Sequence, residues 1–247
     1  MERYFNINYE FDKSAVHDKI NNAVKNDSVQ YICVADANIL QQVSTDLNYR
    51  DVVNGSMFSI CDSSWVPLFL KHIYGIDRKH YCGSMIFKDI IERKQFRQFF
   101  MGTSTDVLNA LQVNLSKIDL SIKNMEFYEL PFCDVDGFDY QSIAKKVNED
   151  NPDIIWVALG APKQEIFMNR LKPHLKRGVM IAVGAAFKFF SGLEEKRAPQ
   201  WVQKLHLEFA YRLLEDPKKQ FARCRKIVSV LPQILKEEKA RKKLSHS

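Results

Sequence analysis

Two aspartates stand where a short apolar run gives way to polar residues: Asp36 in VADAN (34–38), followed by Asn38, and Asp62 in SICDSSWVP (59–67). Polar residues at strand ends fall where open α/β sheets bind ligands. An Asp in such a place also caps a following helix, and for Asp62 a helix around WVPLFLKHI is the plainer reading. CDVDGFD (133–139) spaces Asp134 and Asp136 as D-x-D, a pattern with which many nucleotide-sugar enzymes hold Mn²⁺ or Mg²⁺ against a diphosphate. An acidic turn before Gly137 is the simpler account of it. Three more loops carry groups suited to a phosphate. MGTSTD (101–106) sets Gly102 and Thr103 at a helix N-terminus, where free backbone N–H groups and the helix dipole favour an anion. GAPKQE (160–165) offers a second such terminus, with Gly160 and the side-chain amide of Gln164. VGAAFKFFSG (183–192) places Gly184 among small residues that let a ligand approach the backbone. Each alone is a tight turn; three at one sheet edge make a nucleotide-sized anion site.

The elements that must carry these loops are legible as strands alternating with helices. Strand candidates are 31–35, 96–102, 122–130, 154–160 and 179–184. IIWVALG has no in/out alternation, as expected of a central parallel strand covered on both faces. Between them, STDVLNALQVNLSKI aligns Val107, Leu108, Leu111 and Leu115, and KQEIFMNRLKPHL aligns Ile166, Phe167, Leu171 and Leu175, each on one helical face; DYQSIAKKVNED is a shorter amphipathic helix. This alternation predicts an α/β domain, a Rossmann-like parallel sheet with helices on both faces. In open sheets of this kind ligands sit outside the carboxyl ends of the strands, where all these loops fall. After SGLEEKRAP no strand candidate follows. Trp201, Leu205, Phe209 and Leu213 recur every four residues, and Pro217 opens a second helix that Pro232 should kink or end, leaving KEEKARKKLSHS as a frayed charged end. The expected organisation is a catalytic domain over 1–195 and a basic helical appendage over 196–247.

Composition is that of a globular protein of 247 residues, with 27% charged residues. Residues 196–247 hold 14 Lys and Arg against 5 Asp and Glu, a net of +9, which leaves −3 on residues 1–195 of a chain at +6. A basic segment means phosphates or an anionic surface. No apolar run approaches the roughly 18 residues that span a bilayer, and the N-terminus lacks the pattern of a signal peptide. Five scattered cysteines without C-x-x-C spacing suggest neither a zinc site nor a disulfide framework, and six histidines show no metal-ligand spacing.

Together, VALGAPKQE, VGAAFKFFSGLEEKRAPQW and LEFAYRLLEDPKKQFAR resemble the WecG/TagA/CpsF family of bacterial glycosyltransferases (glycosyltransferase family 26), over about residues 31–225. The resemblance implies transfer of a sugar, with inversion, from a UDP-sugar to undecaprenyl-diphosphate-linked GlcNAc, on a Rossmann-like domain with a membrane-associating C-terminal appendage. It places Asn38 on the family's T-x-N motif, with Asp36 where Thr is usual. It sets Asp62 on the carboxylate of the P-D-G-x-G loop, the family's proposed general base. Gln164 of the intact GAPKQE lies in the implied pocket, the intact EKRAP contributes Arg197, and Arg212 falls on the appendage arginine thought to reach a diphosphate. The family's R-x-x-G segment appears as HYCG, with His80 for Arg and Met85 for the Asp that follows its Gly.

These departures cluster around the sugar, so a plain hexose from UDP-Gal or UDP-Glc is the expected donor, transferred in a β-1,4 linkage for O-antigen, other lipopolysaccharide or capsule synthesis. The alternative is an N-acetylmannosaminyltransferase of teichoic acid or common-antigen synthesis. Expected partners are the UDP-sugar, the GlcNAc-diphospho-undecaprenol acceptor and an anionic inner-membrane surface, in a bacterial cytoplasmic protein peripheral on the inner face of the membrane; a homo-oligomer is left open. No nucleic-acid partner is expected, since the basic tail lacks a helix-turn-helix and spaces its aromatics for packing.

Overall fold

The computed structural model describes residues 1–63, 65–193 and 217–244. Among these, the strands are β1 (Glu2–Tyr4), β2 (Ile7–Tyr9), β3 (Val29–Ala35), β4 (Phe58–Cys61), β5 (Gln98–Gly102), β6 (Glu126–Tyr128), β7 (Ile154–Ala158) and β8 (Gly178–Ala182). They form one sheet of order β1-β2-β4-β3-β8-β7-β5-β6, in which every pairing but β1 with β2 is parallel. The helices are α1 (Lys13–Lys25), α2 (Ala37–Thr45), α3 (Leu47–Asn54), α4 (Trp65–Tyr74), α5 (Gly83–Arg93), α6 (Thr105–Leu115), α7 (Tyr140–Asp150), α8 (Lys163–Leu171), α9 (Ala186–Ser191) and α10 (Pro217–Leu244). This is the Rossmann-like α/β architecture that the alternation predicts.

The central strands are buried throughout, because each carries apolar side chains to both faces. In β7, Ile155 and Val157 join the layer that includes Tyr49 of α3 and Phe167 of α8, while Ile154, Trp156 and Ala158 join the layer of α1, α5, α6 and α9. The Trp156 indole N–H is satisfied by Gln98 Oε1 at 2.7 Å, which removes the cost of burying it.

Two elements go beyond the strand candidates, and the expectations for 122–130 and for the C-terminal helix are corrected. The N-terminal segment is a β-hairpin whose turn is Phe5–Asn6, both at positive φ (51° and 62°). Such a turn normally signals itself with Asn-Gly, so Phe-Asn hides it. The apolar run at 58–61 is a strand in its own right. The strand expected over 122–130 shrinks to Glu126–Tyr128, since Asp119 caps a 3₁₀ turn over Leu120–Asn124 by accepting from the Ser121 amide at 3.0 Å. Pro232 does not end α10, and KEEKARKKL is helical up to Leu244. The helix is held by tertiary contacts that outweigh one lost N–H. Ile234 is buried, and Glu238, one turn on and 3% exposed, accepts from the Phe5 amide at 2.8 Å and from the Tyr74 hydroxyl at 2.7 Å. Arg241 pairs with the same carboxylate, and α10 packs against α2. No helix among the described residues is long and apolar enough to cross a membrane.

Candidate active site

The carboxyl ends of β3, β4, β5, β7 and β8 lie along one edge of the sheet, and the loops leaving them carry most of the residues singled out by type and spacing. Asp36 follows β3 and is the N-cap of α2: its Oδ1 accepts from the amides of Asn38 and Ile39, both at 2.9 Å. Asp62 follows β4, the neighbouring strand, with Cys61 in register with Ala35, and the Asp62 amide donates to the Ala35 carbonyl at 3.1 Å. The two aspartates therefore leave adjacent strands side by side.

Asp62 does hold a helix terminus, but a different one from that expected. Its Oδ1 accepts from the Gly83 amide at 2.8 Å, the first residue of α5, twenty-one positions along the chain. The helix that follows Asp62 is served by Ser63, whose Oγ accepts from the Trp65 amide at 3.2 Å. A Cβ at position 83 would sit 3.2 Å from Val34 Cγ1, so a larger residue there would have to push Val34 aside by a few tenths of an ångström. A half-buried carboxylate that accepts from an N-terminal helix amide is held in place by one of the donors the helix leaves unpaired.

A buried network behind this contact fixes the segment that delivers Gly83. The Tyr81 amide donates to the Cys61 carbonyl at 2.9 Å, and the Tyr81 hydroxyl donates to Asp89 Oδ2 at 2.5 Å. Since that hydroxyl hydrogen is used, the hydrogen between His17 Nε2 and the Tyr81 oxygen, 3.1 Å apart, belongs to the imidazole. Burial, with Arg93 adding to it, lowers the His17 pKa to about 4, so the ring is neutral. Lys13 completes the cluster at 2.7 Å from Asp89.

On the other side, Gly102 (φ +103°) ends β5 so close to β7 that a Cβ would lie 2.5 Å from the Ala158 carbonyl oxygen. Thr103 follows at φ +60° ahead of α6. The loop after β7 turns at Gly160 (φ +77°) and enters α8. Gln164 closes this loop on itself: its amide donates to the Gly160 carbonyl at 3.0 Å, and its Oε1 accepts from the Gly160 amide at 3.1 Å. Gly184, after β8, faces the Gln164 side-chain amide, whose Oε1 lies 3.6 Å from where a Cβ would stand.

Sequence reasoning missed Glu165 and Tyr49. Glu165 is 0% exposed, its Oε1 accepts from Gln164 Nε2 at 2.9 Å and its Oε2 from the Tyr49 hydroxyl at 3.0 Å. Burial pushes its pKa up to about 7 against the lowering effect of these donors. The available signal was its place three residues before buried Met168 on an inward helical face.

The D-x-D pair lies apart from this constellation. Asp134 is the exposed N-cap residue of a 3₁₀ turn over Val135–Gly137, and Asp136, with its side chain 81% exposed, is ion-paired with Arg170. Among the described residues no group of three or more His, Cys, Asp or Glu is arranged to hold a metal ion. Two open carboxylates, one already neutralised by a guanidinium, fit a turn and not a divalent-cation site, so no step is routed through Mn²⁺ or Mg²⁺. Arg197 and Arg212 lie outside the described residues.

The sequence model of the WecG/TagA/CpsF glycosyl transferase family matches residues 4–244. Similar curated proteins include three named N-acetylglucosaminyldiphosphoundecaprenol N-acetyl-β-D-mannosaminyltransferase. That of Bacillus subtilis (strain 168) is 32% identical over 202 residues, covering 80% of this chain and 75% of its own. That of Bacillus spizizenii is 29% identical over 218 residues (85% and 80%), and that of Staphylococcus aureus (strain MW2) is 26% identical over 223 residues (86% and 82%). These names overturn the expectation of a UDP-Gal or UDP-Glc donor and of an O-antigen product. That expectation rested on His80, Met85 and two lost glycines, yet the backbone contact that fixes Asp62 survives those changes, and Met85 is exposed.

Proposed function

The chain belongs to the WecG/TagA/CpsF glycosyl transferase family, and we propose that it moves an N-acetylmannosaminyl group from its UDP-sugar to GlcNAc-diphosphoundecaprenol. The observation that carries the reading is Asp62, held on the Gly83 amide at the strand-end edge beside Asp36. An acceptor hydroxyl is a weak nucleophile, and a fixed carboxylate takes its proton as the oxygen attacks the anomeric carbon. The bond from that carbon to the diphosphate oxygen breaks, and UDP leaves with the electron pair. A β-D product from an α-linked nucleotide sugar is what one such displacement gives. The leaving diphosphate's growing charge meets backbone amides at Gly102–Thr103 and at the start of α8, dipoles set in place before reaction. From the family resemblance, Arg212 is assigned to a diphosphate and Arg197 to substrate binding.

A lipid-linked acceptor requires the protein to work at a membrane. In α10, Arg225, Lys236, Lys239 and Lys243 are exposed, and Val228 is 63% exposed, which supports contact with anionic headgroups by this helix while Ile234 and Glu238 hold it to the domain. The test is a purified-enzyme assay with UDP-ManNAc and a GlcNAc-diphospholipid. The expected product is heavier by one N-acetylhexosaminyl unit, and Asp62→Asn, still folded, lowers turnover by roughly 10²-fold or more. No product from UDP-ManNAc, or normal turnover in the variant, rejects the reading.

A further inference from the structure

The side-chain amide of Gln164 has a single orientation allowed by its neighbours. Its Oε1 faces a backbone donor, the Gly160 N–H at 3.1 Å, and its Nε2 faces a carboxylate acceptor, Glu165 Oε1 at 2.9 Å. A flip would set NH₂ against N–H and oxygen against carboxylate, two repulsive contacts in place of two bonds. Glu165 is in turn fixed from its far side by the Tyr49 hydroxyl on α3, 116 residues away. The chain Tyr49–Glu165–Gln164–Gly160 thus runs from a packed helix pair to the turn that presents the loop after β7. With one Nε2 hydrogen on Glu165, the second is a donor at the end of a side chain 5% exposed, beside the Cβ-less Gly184.

We infer that Glu165 is a positioning residue that locks the Gln164 amide so that it offers an N–H, never a carbonyl, to the donor nucleotide. The ligand atom met there is an acceptor: a carbonyl, hydroxyl or phosphate oxygen. This rests on the proposed donor site, and the test separates the two. A buried acid is a costly way to build a helix interior unless its acceptor oxygens are needed, because an apolar residue there would leave Gln164 free to turn.

Three variants of the full chain decide it: Glu165→Met removes the acceptor and keeps the length, Glu165→Gln keeps a carbonyl for Gln164 Nε2, and Tyr49→Phe leaves the carboxylate unbraced. The first readout needs no ligand: the ¹⁵N–¹H signals of the Gln164 side chain, one of whose hydrogens exchanges slowly in wild type. This protection is lost in Glu165→Met and retained in Glu165→Gln. The second readout is UDP affinity by calorimetry. Glu165→Met raises Kd about 10-fold, the scale of one oriented hydrogen bond, while Glu165→Gln stays within about 3-fold and Tyr49→Phe falls between them. If Glu165→Met does not fold, Tyr49→Phe against Glu165→Gln carries the comparison. An unchanged Gln164 amide together with unchanged UDP affinity in Glu165→Met, or in Tyr49→Phe when that variant must stand in, overturns the inference, as does an equal loss in Glu165→Gln. A wild-type chain that ignores UDP refutes the donor site instead, and the amide signals still decide the positioning.

Discussion

Replacing Glu165 by Gln should change how stability depends on pH, by an amount that follows from its burial. Unfolded, the carboxyl titrates near 4.5; folded, buried with Gln164, Tyr49 and Asp36 around it, it titrates at about 7. Between these values the native state holds more protons than the unfolded one. The group's contribution is therefore fully present below pH 4.5 and is lost as pH rises through about 7. At about 1.36 kcal/mol per unit, the span corresponds to about 3 kcal/mol. His17 runs the other way. Its pKa falls from 6.5 to about 4 on folding, so its contribution grows as pH rises across that interval, again by about 3 kcal/mol. The two slopes offset each other in the wild type over most of the mildly acidic range, and Glu165→Gln unmasks the rising one. Urea unfolding of both proteins at intervals between about pH 4.5 and 7.5 measures this, since other groups cancel in the difference. The variant should gain about 3 kcal/mol relative to wild type across that range. A difference that stays level, or that falls, refutes the assignment of a proton-binding acid to this position.

Three further outcomes follow from the geometry. Activity should survive EDTA, and Asp136→Ala should lose no more than about 1 kcal/mol of stability through its exposed pair with Arg170; loss of turnover in EDTA would restore the D-x-D as a cation site. Glu238→Ala strands the Phe5 amide and the Tyr74 hydroxyl, so it should cost about 2 kcal/mol and speed hydrogen exchange along residues 217–244; unchanged exchange would mean that α10 is held by other contacts. Co-sedimentation with anionic vesicles should fall steeply as salt rises, because surface charges act over a Debye length of about 8–10 Å; salt-independent binding would remove the electrostatic account.

The parts legible in the sequence are those written in local periodicity. The run 154–158 reads as a doubly covered strand because every residue is apolar, and α6 shows its buried stripe as Val107, Leu108, Leu111 and Leu115. What was hidden depends on residues far apart in the chain. The hairpin turn at Phe5–Asn6 lacks the usual turn residues and is met by Glu238, and α10 runs through Pro232 because of the same latch. Asp62 reads from its own position as a helix cap and becomes a candidate base only through the family resemblance, while its partner Gly83 belongs to another helix. Glu165 stands in a polar loop motif, and only the packing of α3 on α8 makes it a buried acid.

The reaction proposed for this chain is a single displacement at the anomeric carbon of an N-acetylmannosaminyl donor, with Asp62 taking the acceptor's proton. Proton NMR of the first product formed from UDP-ManNAc and a short-chain GlcNAc-diphospholipid tests it most directly. The expected product carries one new N-acetylmannosaminyl residue in the β configuration, formed at a rate that collapses in Asp62→Asn. An α-linked product, or a β-linked one formed just as fast without the Asp62 carboxylate, contradicts it.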